Sequence, residues 1–309
     1  MEPSIPQTQA RFSKRAFLAE VEAVRHHPRF PEALGRWGEP ALESFDGRAR
    51  DAKLVCQTAR YVTLFFILHL NASADPGDPN GGASMARVQE RVGASGYGSA
   101  SWVKLAIRTF HRSGLIEPMP PAADRRLRRF RPSAHLLELG QKALGRVLEN
   151  VARVRSLPLP AGELARFPGV VENIARVTVD TYQRDGFTNL EILPEITAFL
   201  QRDFGHLILS QLVHAMREDQ RLGPVSEVPI GDLSERFGIS RAHIRNVLQM
   251  AEAKGWLSRQ SRGGHLICLS PRFAQLCRSW VAIDLAWMHY LAVSAYTHAR
   301  QQNQAAIPK

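Results

Sequence analysis

The chain has 309 residues, 44% hydrophobic and 22% charged, which excludes a disordered or fibrous protein and leaves room for two domains of ordinary size. Its formal net charge of +11 favours polyanionic partners, nucleic acid before an anionic membrane surface. Three cysteines, Cys56, Cys268 and Cys277, lack C-x-x-C spacing, which excludes a disulfide framework and fits a reducing cytoplasm.

The first ten residues are polar and include Glu2, unlike the basic-then-apolar pattern of a secretory signal. Helices are expected over residues 12–26 and 31–37, separated by Pro28 and Pro31, and then over the apolar stretch 59–72. The most apolar runs, 61–70 and 280–293, are shorter than the about 20 residues of a bilayer span. The second also contains Asp284 and His289, so no membrane is expected. Residues 74–84, rich in Gly, Pro, Asp and Asn, read as a loop, and residues 133–153 as a helix. The prolines of 156–163 mark a boundary, followed by expected helices 163–183 and 190–202, then 204–221. A closing helix over 270–302 takes Ser270 as N-cap and Pro271 at its first position.

Two stretches of the chain repeat one pattern. "ERVGAS" (90–95) and "ERFGIS" (235–240) each end a helix with one apolar face: Met85, Val88 and Val92, then Ile230, Leu233 and Phe237. Gly93 and Gly238 are the expected positive-φ terminators. A second helix follows in each, buried through Val103, Ala106, Ile107 and Phe110, or through Ile244, Val247, Leu248 and Ala251. Each ends at a glycine, Gly114 or Gly255, followed by an apolar pair. A hairpin comes next: an irregular one bent by Pro118, Pro120 and Pro121, and one turning at Gly263–Gly264 with Leu266 and Cys268 pointing inward. Helix, turn, helix and two strands is the plan of a winged helix-turn-helix domain. The expected fold is therefore mainly α with small β-hairpin wings, two winged helix-turn-helix domains joined and flanked by helices. The expected boundaries are an N-terminal helical extension (1–59), a first winged-helix domain (60–153), a helical connector (154–204) and a second winged-helix domain with its long helix (205–309).

On these motifs, and on "FRPSAHLLELGQKAL" (130–144) and "CLSPRFAQLCRSW" (268–280), each unit resembles the DNA-binding core of the MarR family of transcription regulators. The resemblance covers residues 60–153 and 205–302. It implies double-stranded DNA as partner and, through the family's habits, a small aromatic or oxidant effector, for which no residue stands out. Members are usually single-unit chains that dimerise through terminal helices. Two copies in one chain imply instead a monomeric pseudo-dimer, with a homodimer of chains as the alternative.

A recognition helix needs donors opposite its apolar face. In the second unit these are Arg241, His243, Arg245, Asn246 and Gln249; in the first, Ser99, Ser101, Lys104, Arg108 and Arg112. The first wing adds Arg125, Arg126, Arg128, Arg129 and Arg131, the second Arg259 and Arg262. Residues 84–153 hold 13 Lys/Arg against 5 Asp/Glu and residues 205–300 hold 11 against 7, whereas the rest of the chain holds 16 against 17. The positive excess thus sits in the two units. No phosphate loop, paired-acid motif or nucleophile elbow is present, so an enzyme is not expected, nor a metal or cofactor. His265 and Cys268, three apart on an expected strand, face opposite ways. The sequence reads as a cytoplasmic, sequence-specific transcription regulator. A plasmid- or phage-type replication initiator, or a protein-binding scaffold, would draw on the same two units.

Overall fold

The computed structural model describes residues 12–45, 49–75, 77–120, 127–260 and 265–305, and is mainly helical with two small antiparallel sheets. The chain begins with α1 (Lys14–Arg25), α2 (Phe30–Arg36), α3 (Glu39–Ser44) and α4 (Ala49–Val55). The sequence predicts only two helices here. The other two, α3 and α4, have only six and seven residues.

The first repeated unit runs α5 (Thr58–Ala72), β1 (Ala83–Ser84), α6 (Met85–Ala94), α7 (Ala100–Arg112), β2 (Ile116–Pro118), β3 (Arg129–Pro132) and α8 (Ala134–Val151). A connector follows: α9 (Ala161–Arg166), α10 (Val170–Asp185), a 3-10 turn (Asn189–Glu191) and α11 (Pro194–Leu200). The second unit is α12 (Gly205–His214), β4 (Arg217–Asp219), β5 (Gly223–Glu227), α13 (Ile230–Phe237), α14 (Arg241–Ala253), β6 (Leu257–Arg259), β7 (Leu266–Leu269) and α15 (Pro271–Ala305).

Both units share one sheet plan. The strand before the helix pair joins the hairpin's far strand, giving β1-β3-β2 and β5-β7-β6, with β4 added at the edge of the second. Several expectations give way. The helix predicted over 204–221 stops at His214, because the chain reverses at Gly223 (φ 73°) and Asp219 Oδ1 accepts from the backbone N–H groups of Arg221 and Leu222. The result is the unpredicted hairpin β4–β5. The loop 74–84 ends in β1. Helix 163–183 breaks where Pro168 lacks an N–H and Gly169 turns left-handed (φ 85°). Gly93 lies inside α6; Gly96 (φ 76°) makes the turn there, while Gly238 (φ 64°) does so after α13 as expected. In β7 the phase is reversed: Ile267 and Leu269 are buried, while Leu266 and Cys268 are half-buried. The Gly263–Gly264 turn lies outside the described residues.

Two apolar cores result. The smaller holds the first unit, with Phe110, Val88, Val92 and Val103 fully buried. The larger joins the second unit to α1–α3, α8 and the connector. α10 serves both: Val179 packs into the smaller core, while Val170, Ile174 and Val177 pack into the larger. It also touches both α5 and α15, linking the first helix of one unit to the last of the other. Trp37 donates from Nε1 to Asp284 Oδ2 at 2.8 Å, so the N-terminal helices are fastened to the middle of α15. At the entry to α12, Phe204 sits left-handed (φ 57°) and donates its N–H to the Cys56 carbonyl at 2.8 Å. No helix of the described residues is long and apolar enough to cross a membrane.

Candidate nucleic-acid interface

α7 and α14 are built alike, residue for residue. Each has 13 residues. Each opens on a serine cap: Ser99 Oγ accepts from the Trp102 N–H at 3.3 Å, and Ser240 Oγ from the His243 N–H at 3.1 Å. Each closes on a left-handed glycine, Gly114 (φ 72°) or Gly255 (φ 69°). The next N–H then reaches back to the last turn, Leu115 to the Phe110 carbonyl at 2.9 Å and Trp256 to Ala251 at 3.0 Å. The return strands are also matched: Ser133 N–H bonds the Leu115 carbonyl at 3.0 Å, and Ser270 N–H bonds Trp256 at 2.9 Å. Four equivalent residues are buried on each helix, Val103, Ala106, Ile107 and Phe110 against Ile244, Val247, Leu248 and Ala251.

The opposite faces can therefore be compared place by place. Ser101, Lys104, Leu105, Arg108 and Arg112 of α7 stand where α14 has Ala242, Arg245, Asn246, Gln249 and Ala253, and all ten are exposed. Among the described residues no ion pair engages Lys104, Arg108 or Arg112 on α7, or Arg245 on α14, and the Asn246 and Gln249 amides make no hydrogen bond. This leaves three free cations on one helix, and one cation with two amides on the other. Arg128, directly before β3, is likewise exposed and unpaired among those residues.

Other predicted contacts are already committed within the fold. Ser99 spends its hydroxyl on the cap. His243 is half-buried, donates from Nε2 to the Asp203 carbonyl at 2.6 Å and sets its ring against Phe204. Arg129 holds its own hairpin, donating to the carbonyls of Gly81 at 3.1 Å and Pro120 at 3.3 Å. Arg131 pairs with Glu117 at 2.7 Å. Arg259 is clamped by Glu252: its Nε donates to Oε2 at 2.9 Å, its backbone N–H to Oε1 at 3.2 Å, and Nη2 also reaches Oε2. That hydrogen bond holds the Glu252 carboxyl below its ordinary range, so the pair is neutral overall. Arg241 lies 3.6 Å from Glu235 in an exposed, weak pair. Arg125, Arg126 and Arg262 lie outside the described residues.

Sequence reading missed Leu105, 53% exposed at the centre of the α7 outer face. The signal was present, since a leucine two positions after Val103 falls opposite the buried stripe. Away from these helices, an open crevice of about 560 Å³ is lined by Gln211, His214, Ala215, Glu227, Pro229 and His265, with Glu227 already paired to Arg217. Among the described residues, no cluster of three or more His, Cys, Asp or Glu could hold a metal ion. Comparison with protein-family models, with curated proteins and with solved structures returns no match for this chain.

Proposed function

We propose that the chain is a sequence-specific, double-stranded-DNA-binding transcription regulator. Its two units act as tandem MarR-like winged helix-turn-helix domains and form an intramolecular pseudo-dimer. The observation that carries this reading is the matched pair α7 and α14, whose outward faces bear unpaired cations and amides. A helix with one buried stripe and an opposite face of free donors has the form needed to enter a major groove. The chain's positive excess, confined to the two units, adds the sequence-independent attraction that brings such a helix to the phosphates.

The two arms differ in kind. Arg245, Asn246 and Gln249 of α14 suit base edges, where Asn and Gln pair with adenine and Arg with guanine. Lys104, Arg108 and Arg112 of α7, with Arg128 of its wing, suit phosphates. An asymmetric site is expected. The test is selection of bound duplexes from a random library, followed by footprinting. A single chain protecting two unlike half-sites supports the reading. A perfect inverted repeat bound only by two chains overturns the pseudo-dimer, and binding to no duplex in a salt-dependent manner overturns the whole proposal.

A further inference from the structure

Leu105 is the residue the polar reading of α7 leaves unexplained. Its burial pattern points Val103, Ala106, Ile107 and Phe110 into the core, and Leu105 away from it. It is 53% exposed, with Ser101 one turn before and Arg108 and Arg112 one and two turns after on the same face. The flanking Trp102, one turn before, is half-buried, which leaves Leu105 as the exposed large apolar side chain on this face. Its counterpart in α14 is Asn246, at the same place between a serine cap and a left-handed glycine.

A helix lying in a major groove presents this central position to base edges. The bulky apolar group those edges offer is the C5-methyl of thymine; cytosine has only a C5–H there, and the remaining groups in reach are mainly hydrogen-bond donors and acceptors. A leucine over a donor or acceptor would strip its water and return no bond, which is unfavourable. Over a methyl group it buries apolar surface on both sides. We infer that Leu105 is a specificity determinant that selects a thymine in the half-site under α7 by contact with its 5-methyl group. Asn246 can recognise adenine through N6 and N7, so the two arms read an A·T pair from opposite bases. The inference rests on the DNA-binding reading above and sharpens it.

The test uses the full chain and the duplex it selects. The half-site under α7 is the one whose protection is lost in the Arg108→Ala/Arg112→Ala variant. Each thymine there is replaced in turn by deoxyuridine, which removes only the methyl group. The parent should lose about fourfold in affinity at one thymine, the worth of one buried methyl. Leu105→Ala should bind the thymine and deoxyuridine duplexes equally, while melting like the parent because the position is exposed. Deoxyuridine in the α14 half should have no effect that depends on Leu105. Selective binding without any methyl-sensitive thymine, or methyl sensitivity that persists in Leu105→Ala, overturns this inference and leaves the DNA reading standing. Loss of concentration-dependent self-association in Leu105→Ala, with methyl sensitivity absent, would assign the leucine to a second copy of the chain instead. Absence of selective DNA binding overturns both.

Discussion

Arginines that sequence reading groups together divide in the structure into free and committed ones, and salt dependence separates the two. Arg108 and Arg112 are exposed on α7 and unpaired among the described residues, whereas Arg259 is held at three points by Glu252. A cation that neutralises a phosphate contributes about 0.9 to the slope of log affinity against log salt. The Arg108→Ala/Arg112→Ala variant should therefore flatten that slope by about 1.8. Between 50 and 200 mM salt, the parent would then lose about tenfold more affinity than the variant. Arg259→Gln should leave the slope unchanged. Its cost falls on stability, about 1 kcal/mol for a partly exposed, hydrogen-bonded pair. Fluorescence anisotropy on a labelled non-specific duplex, across a salt series, measures all three proteins. A double variant with the parent slope, or an Arg259→Gln slope lowered as far as that of the double variant, would refute the division into free and committed charge.

Three further outcomes are expected. Asn246→Ala or Arg245→Ala should relax preference at one base pair by about 1–3 kcal/mol, read as competition between the selected and singly changed duplexes, with non-specific affinity little altered for Asn246→Ala. Gly205→Ala should destabilise the chain by about 3 kcal/mol or more in denaturant titration, since a Cβ there would stand 1.7 Å from the Phe199 carbonyl oxygen, a backbone atom that cannot step aside. Burial raises the Asp284 carboxyl from 3.8 to about 6, so the folded chain keeps that proton longer than the unfolded one and loses stability as pH rises from about 4 to about 6. Asp284→Asn preserves an acceptor for Trp37 and should match the parent near pH 4 but exceed it by about 2 kcal/mol at pH 7.5. His206, held down at about 4 by desolvation beside Trp37, titrates in both proteins and cancels in the difference.

The helices were legible wherever one stripe of side chains had to be buried. Val88 and Val92, Leu233 and Phe237, and all eight stripe residues of α7 and α14 stand in the core as their spacing dictates. Capping was legible for the same local reason: Ser240 and Ser270 are the first residues of their turns, and their hydroxyls meet the third N–H beyond. Strands were harder to read. β1 has two residues and β5 reads Gly-Pro-Val-Ser-Glu, so neither shows alternation; both pair with strands about 40 residues away, and β5 also pairs with the adjacent β4. The phase of β7 is likewise set by its neighbours β5 and β6, which turn Ile267 and Leu269 inward. At the candidate interface, spacing identified which face is outward but not which charges are spent. Glu252 and Arg259 lie seven apart, and only the turn between α14 and β6 brings them together.

Equal frames with unequal faces point to what carrying both units in one chain makes possible. In a homodimer, any substitution on the recognition helix appears in both halves, so the two half-sites must change together. Here caps, terminators and buried stripes of α7 and α14 coincide, which fixes the same backbone path for both helices. The outward positions differ freely around that shared path, Leu105 against Asn246, Arg108 against Gln249, Arg112 against Ala253. Packing demands weigh equally on both copies and keep the stripe, while among the described residues no hydrogen bond or ion pair engages the side chains of these outward positions. The long α15 packs on α10, which touches both cores; on the proposed reading, that packing takes the place of mass-action assembly of separate chains. Divergence between the arms then carries no penalty in assembly. On the proposed reading, one arm can hold the phosphates while the other discriminates bases.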